Sequence, residues 1–174
     1  MPIRNTLKAL FPFLALVLVA ALYALVPAGW PPPATADEMV INKSAHQLLL
    51  LRNGTVLRAY RVSLGREPRG PKSRAGDHRT PEGSYRVDWR NPQSKFHRSL
   101  HVSYPNVQDL QTAQRAGVQP GGDIMIHGLQ NGLGWMGRFH RLVDWTDGCI
   151  AVTNSEMDQI WSAVPDKTPI EIRP

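Results

Sequence analysis

Cysteine is almost missing from this chain: of 174 residues only Cys149 carries a thiol. That excludes an internal disulfide, a Cys-x-x-Cys redox pair and a cysteine-rich zinc site. Acidic residues are absent before Asp37, so the only charged side chains of the opening stretch are Arg4 and Lys8. No Gly-x-Ser-x-Gly nucleophile elbow and no His-Glu-x-x-His zinc pattern occurs, which removes the commonest serine-hydrolase and zinc-protease signatures. No internal repeat is found, and no nucleic-acid-binding motif accompanies the basic residues, so nucleic acid is not expected as a partner.

The length allows one domain with a proper core, and 42% hydrophobic against 20% charged residues indicates a globular chain. Setting Arg4 and Lys8 aside, 18 of the 20 basic residues face 14 acidic ones, a net charge of +4 that favours acidic or carboxylate-rich partners. Arg4 and Lys8 precede an apolar run from Leu10 to Val26, the pattern of an export signal or a membrane anchor. Ala34-Thr35-Ala36 has the form of a cleavage site, and the Pro- and Ala-rich stretch from Pro27 to Ala36 reads as a linker. Residues 1–36 are therefore expected to be a signal peptide or anchor plus linker. Residues 37–174 are expected to form one domain outside the cytoplasm, in the periplasm or cell wall.

Strands are predicted at Val40–Asn42, Gln47–Arg52, Thr55–Leu64, Ser84–Trp89, Ser99–Tyr104, Asp123–His127 and Ile170–Ile172, with Asn53-Gly54 as a hairpin turn. Helices are predicted at Val107–Ala116, ended by Gly117, and at Ser155–Val164, opened by a Thr153–Glu156 capping box. Several strands close in sequence with few helices indicate a mainly β domain. Between them, Gly65–Arg79 is a long basic loop, read as a solvated flexible segment with a lid over an acidic substrate as the alternative.

An exported lone thiol either works or is buried, and Cys149 follows a glycine. Gly148 permits a close backbone approach, so the amides of Gly148 and Cys149 are candidates for an oxyanion hole. A thiol nucleophile needs a base. His127 is the first candidate, at the end of an apolar strand and just before a glycine-rich loop; His140 is the second, within a short helical stretch. His127 also has a structural reading, as a core histidine bonded to a carbonyl. A zinc set of His127, His140, Asp144 and Asp147 is conceivable but has no supporting motif. His46, His78, His97 and His101 are not assigned a role.

Ile124-Met125-Ile126-His127-Gly128 followed by Thr146-Asp147-Gly148-Cys149-Ile150 resembles the catalytic stretch of the YkuD-like L,D-transpeptidases. Asn42-Lys43-Ser44, the Asn53-Gly54 hairpin, Thr80-Pro81-Glu82-Gly83, Tyr104-Pro105-Asn106 and Thr168-Pro169-Ile170 fit the same order. The resemblance spans roughly Glu38 to Ile172. It implies a β-sandwich-like catalytic domain that acts on peptidoglycan stem peptides, without metal or organic cofactor. Cys149 would attack the diaminopimelate carbonyl of a tetrapeptide, His127 would be the base, and D-alanine would leave. A thioester would then pass to an amine as a 3→3 cross-link. Gly128, Thr146, Asp147, Arg138 and Arg141 are the implied substrate contacts. Two positions depart from the family: Asp147 stands where a histidine is usual, and Ala151 where an Arg or Asn is frequent, so a substrate carboxylate is expected to use Arg138 or Arg141. The variant resembles the YafK-type murein subgroup, in which hydrolysis of murein or lipoprotein–murein links, by a carboxypeptidase or endopeptidase, is the alternative outcome. A catalytically inactive wall-binding module is the remaining reading.

Overall fold

Eight strands, β1 Glu38–Asn42, β2 Gln47–Arg52, β3 Thr55–Arg61, β4 Gly83–Asn91, β5 Ser99–Val102, β6 Met125–His127, β7 Ile150–Ala151 and β8 Pro169–Arg173, form one sheet in the order β3-β2-β1-β8-β4-β5-β6-β7. They are seen in a computed structural model that describes residues 34–174. The expected signal or anchor, Leu10–Val26, lies outside these residues. Among the described residues no helix is long and apolar enough to cross a membrane.

Pairing is antiparallel except at β1–β8 and β6–β7, which run parallel. Alternation explains why one core serves the whole sheet. Met39 and Ile41 of β1, Leu48 and Leu50 of β2, Leu100 of β5, Ile126 of β6 and Ile150 of β7 all belong to a single buried cluster. Residues from distant strands can share a core only if the sheet curls around it. The curl is fastened just past the ends of the strand order. Ser63, beyond β3, exchanges backbone bonds with Ala151 of β7, at 3.0 Å and 2.9 Å.

Two helices complete the domain: α1, Val107–Ala116, and α2, Asn154–Ala163. Both start on capping boxes, Asn106 with Asp109 and Thr153 with Glu156. Each such N-cap is worth roughly 1 kcal/mol. α2 buries Met157, Ile160 and Ala163 in the core.

The mainly β expectation holds, and both helices fall within one residue of their predicted bounds. The predicted strand Thr55–Leu64 stops at Arg61, because Val62–Leu64 leaves β2 to cross toward β7. β7 was not foreseen. Most of the 65–79 loop is exposed, in keeping with a solvated segment, but hydrogen bonds from side chains that include the buried Lys43 and Lys72 pin it at several points. Lys43 sends Nζ–H bonds to the Gly70 carbonyl at 2.5 Å, the Thr80 carbonyl at 2.9 Å and Glu82 at 2.7 Å. Asp77 accepts from Lys72 Nζ and from the Ser73, Arg74 and Arg79 amides. Burial by itself pushes the Asp77 carboxyl up, but these donors outweigh it and bring the pKa down to about 2.

Candidate active site

Cys149 and His127 sit at the ends of neighbouring parallel strands. The β6–β7 register pairs Ile126 with Ile150 and His127 with Ala151. Continued by one residue, it sets Cys149 beside Met125, whose amide donates to the Cys149 Sγ at 3.4 Å. Residues two apart on a strand share a face. Cys149, Ala151, Met125 and His127 therefore line the outer face of the sheet, opposite the core-facing Ile126 and Ile150.

His127 is buried under the Phe96 ring, 4.6 Å between centroids, and the Trp145 ring, 5.8 Å. Its Nδ1–H donates to the carbonyl of Gly128 at 2.6 Å. A carbonyl can only accept, so Nδ1 holds the proton and Nε2 holds the lone pair. Burial draws its pKa below the ordinary value, partly opposed by that bond. The carbonyl partner of the structural reading is thus present, and it fixes the tautomer a base requires. Gly128 itself is hemmed in: a Cβ there would meet Asn154 Oδ1 at 2.8 Å.

The Cys149 thiol is pushed above its ordinary pKa by burial, only partly offset by the Met125 amide. Thiol and imidazole both rest neutral at neutral pH, so forming a thiolate requires proton transfer to a base.

The turn before Cys149 is built by Thr146, whose hydroxyl accepts from the Gly148 amide at 3.2 Å and donates to the Cys149 carbonyl at 2.7 Å. Thr146 thereby shapes the turn rather than facing open space, and its hydroxyl occupies the Gly148 N–H. Gly148 has φ 123°, and a Cβ there would meet the Arg79 carbonyl at 2.6 Å, so the position demands glycine.

The other expected contacts are differently employed. Arg141, expected at a substrate carboxylate, is turned inward and pairs with Glu156 of the α2 capping box. Arg138 is exposed on the segment between His127 and Thr146, as are Trp135 and Phe139 of the same segment. Asp147 binds the Arg66 guanidinium and the Nδ1–H of His78, the latter at 2.8 Å. Arg66 is the leading cause that holds its carboxyl below the usual range. The proposed zinc set is not assembled: Asp144 accepts from His46 and the Leu64 amide, and Asp147 from His78.

His140, the second candidate base, packs in a kinked 3-10 segment, Gly134–Leu142. Its Nδ1 accepts from Trp145 Nε1–H at 3.4 Å and contacts Ser63 Oγ at 3.2 Å, leaving a buried Nε2 with no partner. Burial lowers its pKa to about 4. It supports Trp145, which covers His127. Sequence reasoning missed His78, Arg66, Phe96 and Ser63, which no local spacing connects to Cys149.

A thiol and a buried, oriented imidazole on one face of adjacent parallel strands, two register positions apart, is an arrangement suited to thiol-dependent acyl transfer. Residues 36–172 match the L,D-transpeptidase catalytic domain, YkuD, and the chain belongs to that family. It is similar to YafK of Escherichia coli (strain K12), 31% identical over 112 residues, 63% of this chain and 37% of that protein. The chain thus spans well under half the length of the curated relatives it matches. Among solved structures, the helical cell shape determining protein Pgp2 of Campylobacter jejuni aligns with TM-score 0.56 and 22% identity, over 83% of this chain and 52% of the other. Bd1075 of Bdellovibrio bacteriovorus aligns with TM-score 0.54 and 20% identity, over 84% and 52%. An L,D-transpeptidase of Xylanimonas cellulosilytica aligns at 0.50 and 20%, over 88% and 67%. At these identities the structural likeness establishes the fold.

Proposed function

We propose that this domain is a cysteine acyltransferase acting on peptidoglycan stem peptides, with Cys149 as nucleophile and His127 as general base. The observation that carries this reading is the Nδ1–H bond of His127 to the Gly128 carbonyl, which leaves Nε2 as the proton acceptor on the sheet face that bears the thiol. Family membership supports peptidoglycan stem peptides as the substrate class, and the tetrapeptide donor is part of the proposal. His127 Nε2 takes the Cys149 proton as sulfur attacks the diaminopimelate carbonyl. The oxyanion is held by the Cys149 amide and by Gly148 N–H, displaced from Thr146. The C–N bond then breaks, His127 returns the proton to the departing D-alanine amine, and a thioester remains on Cys149. An amine of a second stem resolves it to a 3→3 cross-link. A peptidoglycan substrate requires a domain outside the cytoplasm, and the signal or anchor expected from Leu10–Val26 is in keeping with that proposal.

The test is intact-mass analysis with a disaccharide-tetrapeptide. An acyl adduct on the native protein, absent from Cys149→Ala and from His127→Ala, is expected, together with 3→3 dimers. A Cys149→Ala protein that still makes those dimers would remove the thiol from the mechanism. Tripeptides without dimers would replace the amine acceptor with water.

A further inference from the structure

A second histidine stands on the same sheet face as Cys149. The β5–β6 register pairs His101 with Met125, the residue whose amide touches the Cys149 sulfur. Directly paired antiparallel residues project to the same side. His101 therefore faces outward beside Met125, while its neighbours Leu100 and Val102 enter the core. At about 4.8 Å per strand, its column lies roughly 10 Å from that of Cys149, with Met125 between.

This histidine is held as a base would be held. Its side chain is only 11% exposed, and its Nδ1–H donates to Asp88 Oδ1 at 2.6 Å. Trp89 stacks on the ring at 4.9 Å and 16°. Asp88 and Trp89 lie where β4 loses register with β5, between the Val87–Val102 and Arg90–Leu100 pairs. That irregularity delivers a carboxylate and an indole to one imidazole. β4 flanks β5 on the side away from β6. The two ring nitrogens lie on opposite sides of the imidazole, so with Nδ1 tied to Asp88 of β4, Nε2 is the nitrogen turned away from that partner. Nothing in the acylation chemistry uses this Asp88–His101 pair.

The geometry points to His101 as the base for the second half-reaction, with Asp88 and Trp89 as its positioning residues, at a subsite for the nucleophile that resolves the acyl-enzyme. This rests on the Cys149 thioester proposed above. A nucleophile attacking that carbonyl from the Met125 side arrives between the sulfur and Nε2. Its nitrogen forms the new C–N bond and gives a proton to His101 Nε2, which passes it to solvent. The C–S bond breaks, and the Cys149 thiolate recovers a proton from His127, itself reprotonated by solvent. Water, giving C–O in place of C–N, uses the same base.

Disaccharide-tetrapeptide, serving as donor and acceptor, tests this on the full chain. His101→Asn keeps a donor for Asp88 and removes Nε2. It should release one D-alanine per enzyme at the native rate, accumulate the acyl adduct by intact mass, and turn over at least 100-fold more slowly, the span of general-base effects. Asp88→Asn should shift the same partition more weakly. Dimers or tripeptides among the residual products distinguish amine from water, and either agrees. A native ratio of burst to turnover in both variants, or equal loss of both steps, overturns the inference. If the native protein forms no adduct at all, the Cys149 reading fails first, a result separable from the others.

Discussion

His78 and Asp147 are joined by a 2.8 Å hydrogen bond although 69 residues separate them. Asp147 is the position where the family's usual histidine is replaced, and the bond returns an imidazole to the neighbourhood of Cys149 from the 65–79 loop. Arg66 of the same loop holds the same carboxylate. The loop is thus latched beside the nucleophile at an exposed point. If the latch positions the loop for substrate, Asp147→Ala, which releases both Arg66 and His78, should slow acylation more than His78→Ala does. The double variant should be no worse than Asp147→Ala alone, since that change already removes the His78 interaction. Rates of adduct formation by mass spectrometry give the cycle, and multiplicative losses would show that the two residues act separately.

The thiol should behave as a half-buried, neutral group. With its pKa above the ordinary value, alkylation of Cys149 by iodoacetamide should be slow at pH 7 and still rising with pH at 9. A rate already on its plateau at pH 7 would mean a preformed thiolate, and the base would then be unnecessary.

Stability should depend on pH through His140. Its folded pKa of about 4 lies below the ordinary 6.5, so between these values the unfolded chain binds more protons. Stability is complete above 6.5 and falls as the pH drops toward 4, by up to about 3 kcal/mol. His127 shifts in the same direction and adds to the slope. Denaturant titrations from pH 7 to 4 should show the decline, and His140→Leu should flatten it. An unchanged slope in that variant would assign the dependence elsewhere.

Asp77 works with the opposite sign. Its carboxylate contributes stability above the ordinary 3.8 and loses it as the pH falls toward 2. Asp77→Asn should cost about 2 kcal/mol at pH 7, with the native and variant curves converging in acid. Equal melting temperatures at pH 7 would show that Lys72 and the loop amides find other partners.

Gly148→Ala should be severe. A Cβ meets the Arg79 carbonyl at 2.6 Å, and φ 123° is a glycine conformation. The combined clash and strain are of order 1–3 kcal/mol, concentrated at the turn that presents the thiol. Acylation should fall more than stability, read by adduct formation against thermal melting.

The sequence by itself determined the mainly β class, both helices, the lone thiol and the strand-end histidine. Those signals are local: period-2 alternation, capping boxes, a Gly-Cys pair, an apolar strand ending at His127. It could not place β7, because Ile150–Ala151 is two residues long and has no period to read. Nor could it assign Arg141, expected at a substrate carboxylate, because Glu156 lies across the fold on the cap of α2. The partners of Asp147 and His101 were likewise decided only in three dimensions. His78 and Arg66 reach Asp147 because the pinned 65–79 loop runs beside the Gly148 turn. Asp88 reaches His101 because the β4 irregularity turns it toward β5. Which side chains share a face of a curled sheet depends on strand order and register, and those are set by long-range pairing rather than by local sequence.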